Sequence, residues 1–114
     1  MITVMSRFQL RPGLERSTAL EEIQETVGWY QGRAHCIRKY VCLNWEGRYG
    51  IGVYLWDDRE AAEAFYAAAT AEIERQTGAP PELTWFETPV VVDNAVGEVY
   101  VDGVRSQFEP SLAP

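Results

Sequence analysis

Apolar residues recur along this chain at period two and at helical spacing, alternating in the order strand, helix, strand, strand, helix, strand, and few folds accept that order. Residues 2–10 place Ile2, Val4, Phe8 and Leu10 at alternate positions and run into Pro12-Gly13, a strand closed by a turn. From about Leu14 to Val27, the residues Leu20, Ile23 and Val27 fall three and four apart among glutamates, which predicts a helix stopped by Gly28. Residues 35–45 and 49–56 have strand propensity, and Glu46-Gly47-Arg48 between them reads as a hairpin turn, so the two should pair antiparallel. Asp57 with Glu60 forms a capping box. Ala61, Phe65, Ala68, Ala69 and Ile73 then make a helical stripe that ends near Gly78, before Pro80-Pro81. Residues 82–92 are the fourth strand, with Pro89 marking an edge or a bulge.

This is the split β-α-β order: an α+β, ferredoxin-like fold with two helices on one face of a four-stranded antiparallel sheet. A chain of 114 residues suits one domain. Residues 1–95 are assigned to that domain. Residues 96–114 form a C-terminal extension, with a possible short strand at 97–101 and a loose tail from Arg105 to Pro114.

The net charge of −7 opposes a role on nucleic acid, since neutralising phosphates requires clustered Lys and Arg. No apolar run approaches the roughly 20 residues needed to span a bilayer. The N-terminus opens on a strand-like segment rather than a signal peptide, so a cytoplasmic location is expected. Cys36 and Cys42 lie in one expected strand, which separates them by about 20 Å on one face and forbids a disulfide between them. With one histidine, His35, and no paired-ligand motif, no metal is expected.

Alternation divides the sheet into two faces. One gathers Ile2, Val4 and Phe8 with Ile37, Val41, Leu43, Ile51, Val53 and Leu55, an aliphatic seat for the helices. The other gathers Met5, Arg7 and Gln9 with Arg38, Tyr40, Cys42 and Asn44, then Gly50, Gly52, Tyr54 and Trp56. Tyr and Trp beside Arg and Asn suit a surface that meets a ligand or a partner sheet, and the glycines would leave bare backbone there. For the fourth strand two phases stay open: Trp85 with Glu87, or Thr84, Phe86 and Thr88, point to this second face.

The run from Gly50 to Phe65, with the preceding Arg38-Lys39-Tyr40, resembles the strand-then-helix segment of the YdhR-like monooxygenase family, within the dimeric α/β-barrel superfamily that includes antibiotic-biosynthesis monooxygenases. The resemblance spans about residues 1–95. Entry to the second strand departs from it, reading Tyr30-Gln31-Gly32-Arg33-Ala34 in place of a Pro-Gly-Leu-like stretch. It implies a homodimer in which two sheets face each other, with a pocket between sheet and helices or between sheet and partner.

By analogy, the first functional reading is a monooxygenase acting without cofactor on a small aromatic or polycyclic compound. Arg38 and Tyr54 are its expected catalytic residues, and Arg7, Tyr40, Asn44 and Trp56 its substrate-binding residues. An arginine would hold the substrate anion, and the aromatic side chains would wall a dry pocket. The alternative is a non-enzymatic ligand-binding or structural homodimer whose second face serves self-association alone. A third reading, an isomerase, would need His35, Glu46 or Glu87 for proton transfer.

Overall fold

The computed structural model describes residues 1–111 and 113, with the backbone alone at Gln76 and Thr77. Leu112 and Pro114, within the tail expected to be loose, lie outside the described residues. The chain forms β1 (Ile2–Gln9), α1 (Arg16–Gln24), a single helical turn α2 (Val27–Tyr30), β2 (Cys36–Asn44), β3 (Tyr49–Trp56), α3 (Arg59–Thr77) and β4 (Glu82–Glu87). The four strands make an antiparallel sheet in the order β2-β3-β1-β4, so the fold is the ferredoxin-like α+β arrangement expected.

Helix α3 shows how local chemistry sets its ends. Asp58 is the N-cap: its carboxylate accepts from the Glu60 backbone N–H at 3.3 Å. Gly78 takes the left-handed conformation at φ 83°, and its N–H closes the helix on the Glu74 carbonyl. Asp57, the cap expected from sequence, instead pairs with His35 Nδ1 at 2.8 Å. Asp58→Ala should therefore lower stability by about 0.5–2 kcal/mol. Asp57→Ala, which breaks an exposed pair, should cost about 1 kcal/mol or less. Thermal unfolding of the two variants side by side would check the assignment.

Residues 82–92 do not form one strand. Pro89 has no N–H to give to the ladder, so β4 stops at Glu87 as an edge strand and the chain begins a second sheet. That sheet joins β5 (Val90–Asp93), β6 (Glu98–Val101) and β7 (Val104–Ser106), all antiparallel. Asp102 and Gly103, at φ 47° and 78°, form the two-residue turn between β6 and β7. The tail expected to be loose from Arg105 therefore begins with ordered strand.

Directly opposed residues of an antiparallel pair share a face, so register decides what the helices cover. Ile2 lies opposite Trp56, Val4 opposite Tyr54, Ser6 opposite Gly52 and Phe8 opposite Gly50. Gly50, Gly52, Tyr54 and Trp56 are thus on the helix-covered face, and Ile51, Val53 and Leu55 are on the open one, which reverses the expected phase of β3. The glycines explain the reversal. A Cβ at Gly50 would lie 2.3 Å from the Phe8 ring, and one at Gly52 would lie 2.2 Å from the Tyr54 hydroxyl. They leave room for rings lying flat on the covered face, not for a ligand on the open one.

Strand β2 carries a bulge between Cys36 and Arg38. Cys36 lies opposite Trp56 on the covered face and Cys42 opposite Ile51 on the open face, so the cysteines do not share a face as expected. The bulge also leaves Ile37 45% exposed, outside the helix seat. In β4, Leu83 and Trp85 take the covered side, opposite Ser6 and Val4, while Thr84 and Phe86 lie on the open face.

Candidate functional site

Ile2, Val4, Tyr54, Trp56, Ala62 and Tyr66 form the buried core beneath α3, with Tyr30, Cys36, Phe65, Leu83 and Trp85 packed against it. The second cluster, Leu10, Leu14 and Ala19, lies beneath α1 against Phe8, Leu43 and Trp45. The first is unusual in chemistry. Tyr30 stacks on Tyr54 at 4.9 Å between centroids, Phe65 meets both Tyr30 and Tyr66 edge-on, and Tyr66 meets Trp56 and Trp85 edge-on. Trp56 Nε1–H donates to the Tyr66 hydroxyl at 3.3 Å, and the Tyr54 and Ser6 hydroxyls lie 3.3 Å apart. Burial pushes the Tyr30 and Tyr66 hydroxyls far above the usual phenol range, so both stay protonated and able to donate.

Two cavities open against these rings. The larger, about 690 Å³, runs along Ala61, Ala64 and Ala68 of α3 to Trp29, Trp56 and Phe65, with the His35–Asp57 pair near one end. Its Arg33 donates through Nε to the Trp29 carbonyl at 2.6 Å and stacks over Phe65. The smaller, about 340 Å³, lies beneath α2 and is lined by Tyr30, Cys36, Arg38 and Lys39 among others. Both fall in the size range of small-molecule sites.

Lys39, which sequence reasoning did not select, enters this layer from β2 in phase with Val41 and Leu43. Its ammonium lies 4.1 Å from the centroid of the Tyr30 ring and 5.8 Å from that of Tyr54, and donates to Thr26 Oγ1 at 2.8 Å. Ring faces offset the lost hydration of an ammonium by roughly 0.5–2 kcal/mol. Partial burial pulls its pKa below the usual lysine value, against a smaller opposing influence from Cys36. The signal was present in sequence: a lone charge between aliphatic positions of one strand phase, and the only lysine in the chain.

The six residues selected from sequence do not converge. Tyr54 and Trp56 are in the aromatic core, and Trp56 also lines the larger cavity. Arg38 lines the smaller cavity, but its guanidinium pairs with Asp93 of β5. Arg7, Tyr40 and Asn44 are on the open face: Arg7 stacks over Tyr49 at 4.0 Å, Tyr40 is 53% exposed, and Asn44 accepts the Gly47 N–H of the hairpin turn at 2.8 Å. Of the proton-transfer candidates, His35 is held by Asp57, while Glu46 is in the β2–β3 turn and Glu87 ends β4. Among the described residues no three metal-ligating side chains cluster, and no helix is long and apolar enough to cross a membrane.

The ferredoxin-like arrangement of sheet and helices is one that solved structures share. No family model matches the sequence, and no curated protein matches it significantly. Solved structures do. Rv0793 from Mycobacterium tuberculosis superposes with a TM-score of 0.60 at 16% identity, covering 76% of this chain and 93% of that one. A candidate antibiotic biosynthesis monooxygenase from Bordetella bronchiseptica superposes with a TM-score of 0.54 at 17% identity, covering 76% and 95%. At these identities the likeness carries the fold alone and does not reach the YdhR-like family.

Proposed function

We propose that this protein is a monooxygenase for a small aromatic or polycyclic compound, bound on the helix-covered face against the Tyr30–Tyr54 stack. The observation that carries the reading is the aromatic layer itself. Three tyrosines, two tryptophans and a phenylalanine occupy the space between sheet and helices, where aliphatic packing alone would serve stability, and cavities open against them. Such walls accept flat rings and give a reactive intermediate an apolar surface to lie on. The fold shared with the Bordetella bronchiseptica protein supports the same class of chemistry by analogy.

Without a cofactor, the substrate must itself reduce dioxygen, as an electron-rich phenol or anthrone can. For an anthrone, one oxygen atom enters as the new carbonyl. The other leaves as water with the two hydrogens of the ring methylene, so no external reductant is needed. Within this reading, Tyr30 presents its ring to the smaller cavity, and Tyr54 stacks behind it as the hydrogen-bonding phenol reached when the substrate ring enters the layer. Trp56 holds the aromatic layer together from the side of the larger cavity. Arg38 borders the smaller cavity with its charge shared with Asp93. Arg7, Tyr40 and Asn44 are assigned to the open face, where a second copy of the chain would pack.

Oxygen consumption against hydroxylated naphthalenes and anthrones tests the proposal. Uptake above the uncatalysed rate should fall about 10- to 100-fold in Tyr54→Phe, corresponding to roughly 1.4–2.7 kcal/mol of transition-state stabilisation. Arg38→Ala should reduce it less. Absence of uptake across the panel would favour the non-enzymatic ligand-binding dimer.

A further inference from the structure

We propose that Lys39 anchors an anionic oxygen, that of an acidic phenol or enol, whose ring lies in the cavity beneath α2 against Tyr30. The inference rests on the covered face being the ligand site and adds the charge state of what it takes. It also moves the anion-holding role from the arginines selected in sequence to a lysine.

Three observations carry it. First, Lys39 enters the sheet–helix layer from β2, its ammonium over the rings of Tyr30 and Tyr54. It is partly buried and lines the cavity together with Tyr30 and Cys36. Second, its charge lacks a counter-ion. Among the described residues no carboxylate lies within 4.0 Å of its Nζ, whose hydrogen-bonding partner is the Thr26 hydroxyl. Arg38, at the same cavity, has Asp93. Arg7 and Arg33 are exposed, so water solvates their charge at little cost. A desolvated ammonium without a carboxylate is a site that an incoming anion completes. Third, the titratable groups around it, Tyr30 on α2, Cys36 on β2 and Tyr54 on β3, include no carboxylate that would repel that anion. Tyr30 also offers the face on which an aromatic ring would lie.

The chemistry follows from these neighbours. A phenol entering protonated would give its proton to solvent or to a neutral Lys39 amine. The resulting phenolate oxygen would then face the ammonium. The direction of the Lys39 shift, toward easier loss of its proton, favours the second route.

4-Nitrophenol is a suitable probe, because its anion absorbs at longer wavelength than the neutral phenol and the spectrum reports which form is bound. 4-Nitroanisole has the same ring without an ionisable oxygen. The full-length protein should bind 4-nitrophenol as the anion. Lys39→Met should weaken that binding roughly tenfold or more, with 4-nitroanisole little changed, and Lys39→Arg should restore part of the loss. A wild-type measurement removes dependence on variant folding. Since the chain has one lysine, reductive methylation followed by mass spectrometry reads Lys39 directly, with the N-terminal amine as internal reference. 4-Nitrophenol should protect Lys39 several-fold and leave the terminus unprotected, while 4-nitroanisole protects neither.

Failure of the wild type to bind the phenolate, equal binding by Lys39→Met, or absence of protection overturns the inference. Lys39-dependent binding without oxygen uptake on any substrate keeps the anchor and removes the monooxygenase. Uptake with binding indifferent to Lys39 does the reverse.

Discussion

Trp56→Ala is expected to destabilise the fold by about 3–5 kcal/mol, a large share of the roughly 5–15 kcal/mol that holds a domain of this size together. Trp56 is fully buried at the end of β3, touches Phe65 and Tyr66 of α3, and lies opposite Ile2 and Cys36 across the sheet. Truncation removes the largest ring between sheet and helix and leaves a cavity that the rigid sheet cannot close. It also takes the donor from the Tyr66 hydroxyl, which then lacks that bond in a poorly solvated place. Trp56→Phe separates the two contributions, keeping most of the apolar contact while losing the N–H, and should cost about 1–3 kcal/mol. Urea unfolding reads both: the midpoint should fall while the slope stays constant. A loss below about 1 kcal/mol for the alanine variant would mean that the aromatic layer is not the structural core assigned to it.

The same tryptophan marks where sequence reading succeeded and where it stopped. The limits of β3, the capped start of α3 near Asp57 and its Gly78 stop, and the overall element order were legible, because glycine, proline and capping residues act through local backbone geometry. The facing of β3 was not. Its sequence alternates glycine and aromatics with aliphatic residues, so both faces are apolar, and polarity cannot tell inside from outside. The choice was made by long-range packing of Phe8 and Tyr54 over Gly50 and Gly52. The β2 bulge is likewise a tertiary event, and one extra residue was enough to turn Cys36 and Cys42 to opposite faces. The candidate site inherited the first of these errors. Arg7, Tyr40 and Asn44 are on the open face as expected and Arg38 turns from the edge strand to the smaller cavity and Asp93, but the two aromatics meant to complete them lie on the other side of the sheet.

The second large effect is expected at Val53: if two copies pair through the open face, as proposed, Val53→Glu should leave the chain a monomer. Val53 lies between Met5 of β1 and Tyr40 of β2, with Ile51 and Leu55 on the same face of its own strand. Together with Phe86 on β4, 46% exposed, they make an apolar surface broader than solvent-facing sheets usually carry. The C-terminal sheet adds to it, with Val90, Val92 and Val104 between 56% and 66% exposed. The chain is also extended. Its radius of gyration is 16.3 Å, against about 13 Å for a compact domain of this length. An apolar sheet face and a projecting strand arm are both satisfied if a second copy packs its own open face against the first, each arm reaching its partner. A glutamate at the centre of that contact would bury a carboxylate opposite its symmetry mate in a chain already carrying a net charge of −7. Such juxtaposed like charges cost several kcal/mol. Light scattering should give wild-type protein near twice 12.9 kDa and the variant near 12.9 kDa, with far-ultraviolet dichroism preserved. The exchange of Val53 leaves Tyr30 and Lys39 untouched on the covered face, so phenolate binding should survive in the monomer. Joint loss of dimer and binding would instead mean that the partner's arm completes the cavity beside Arg38 and Asp93.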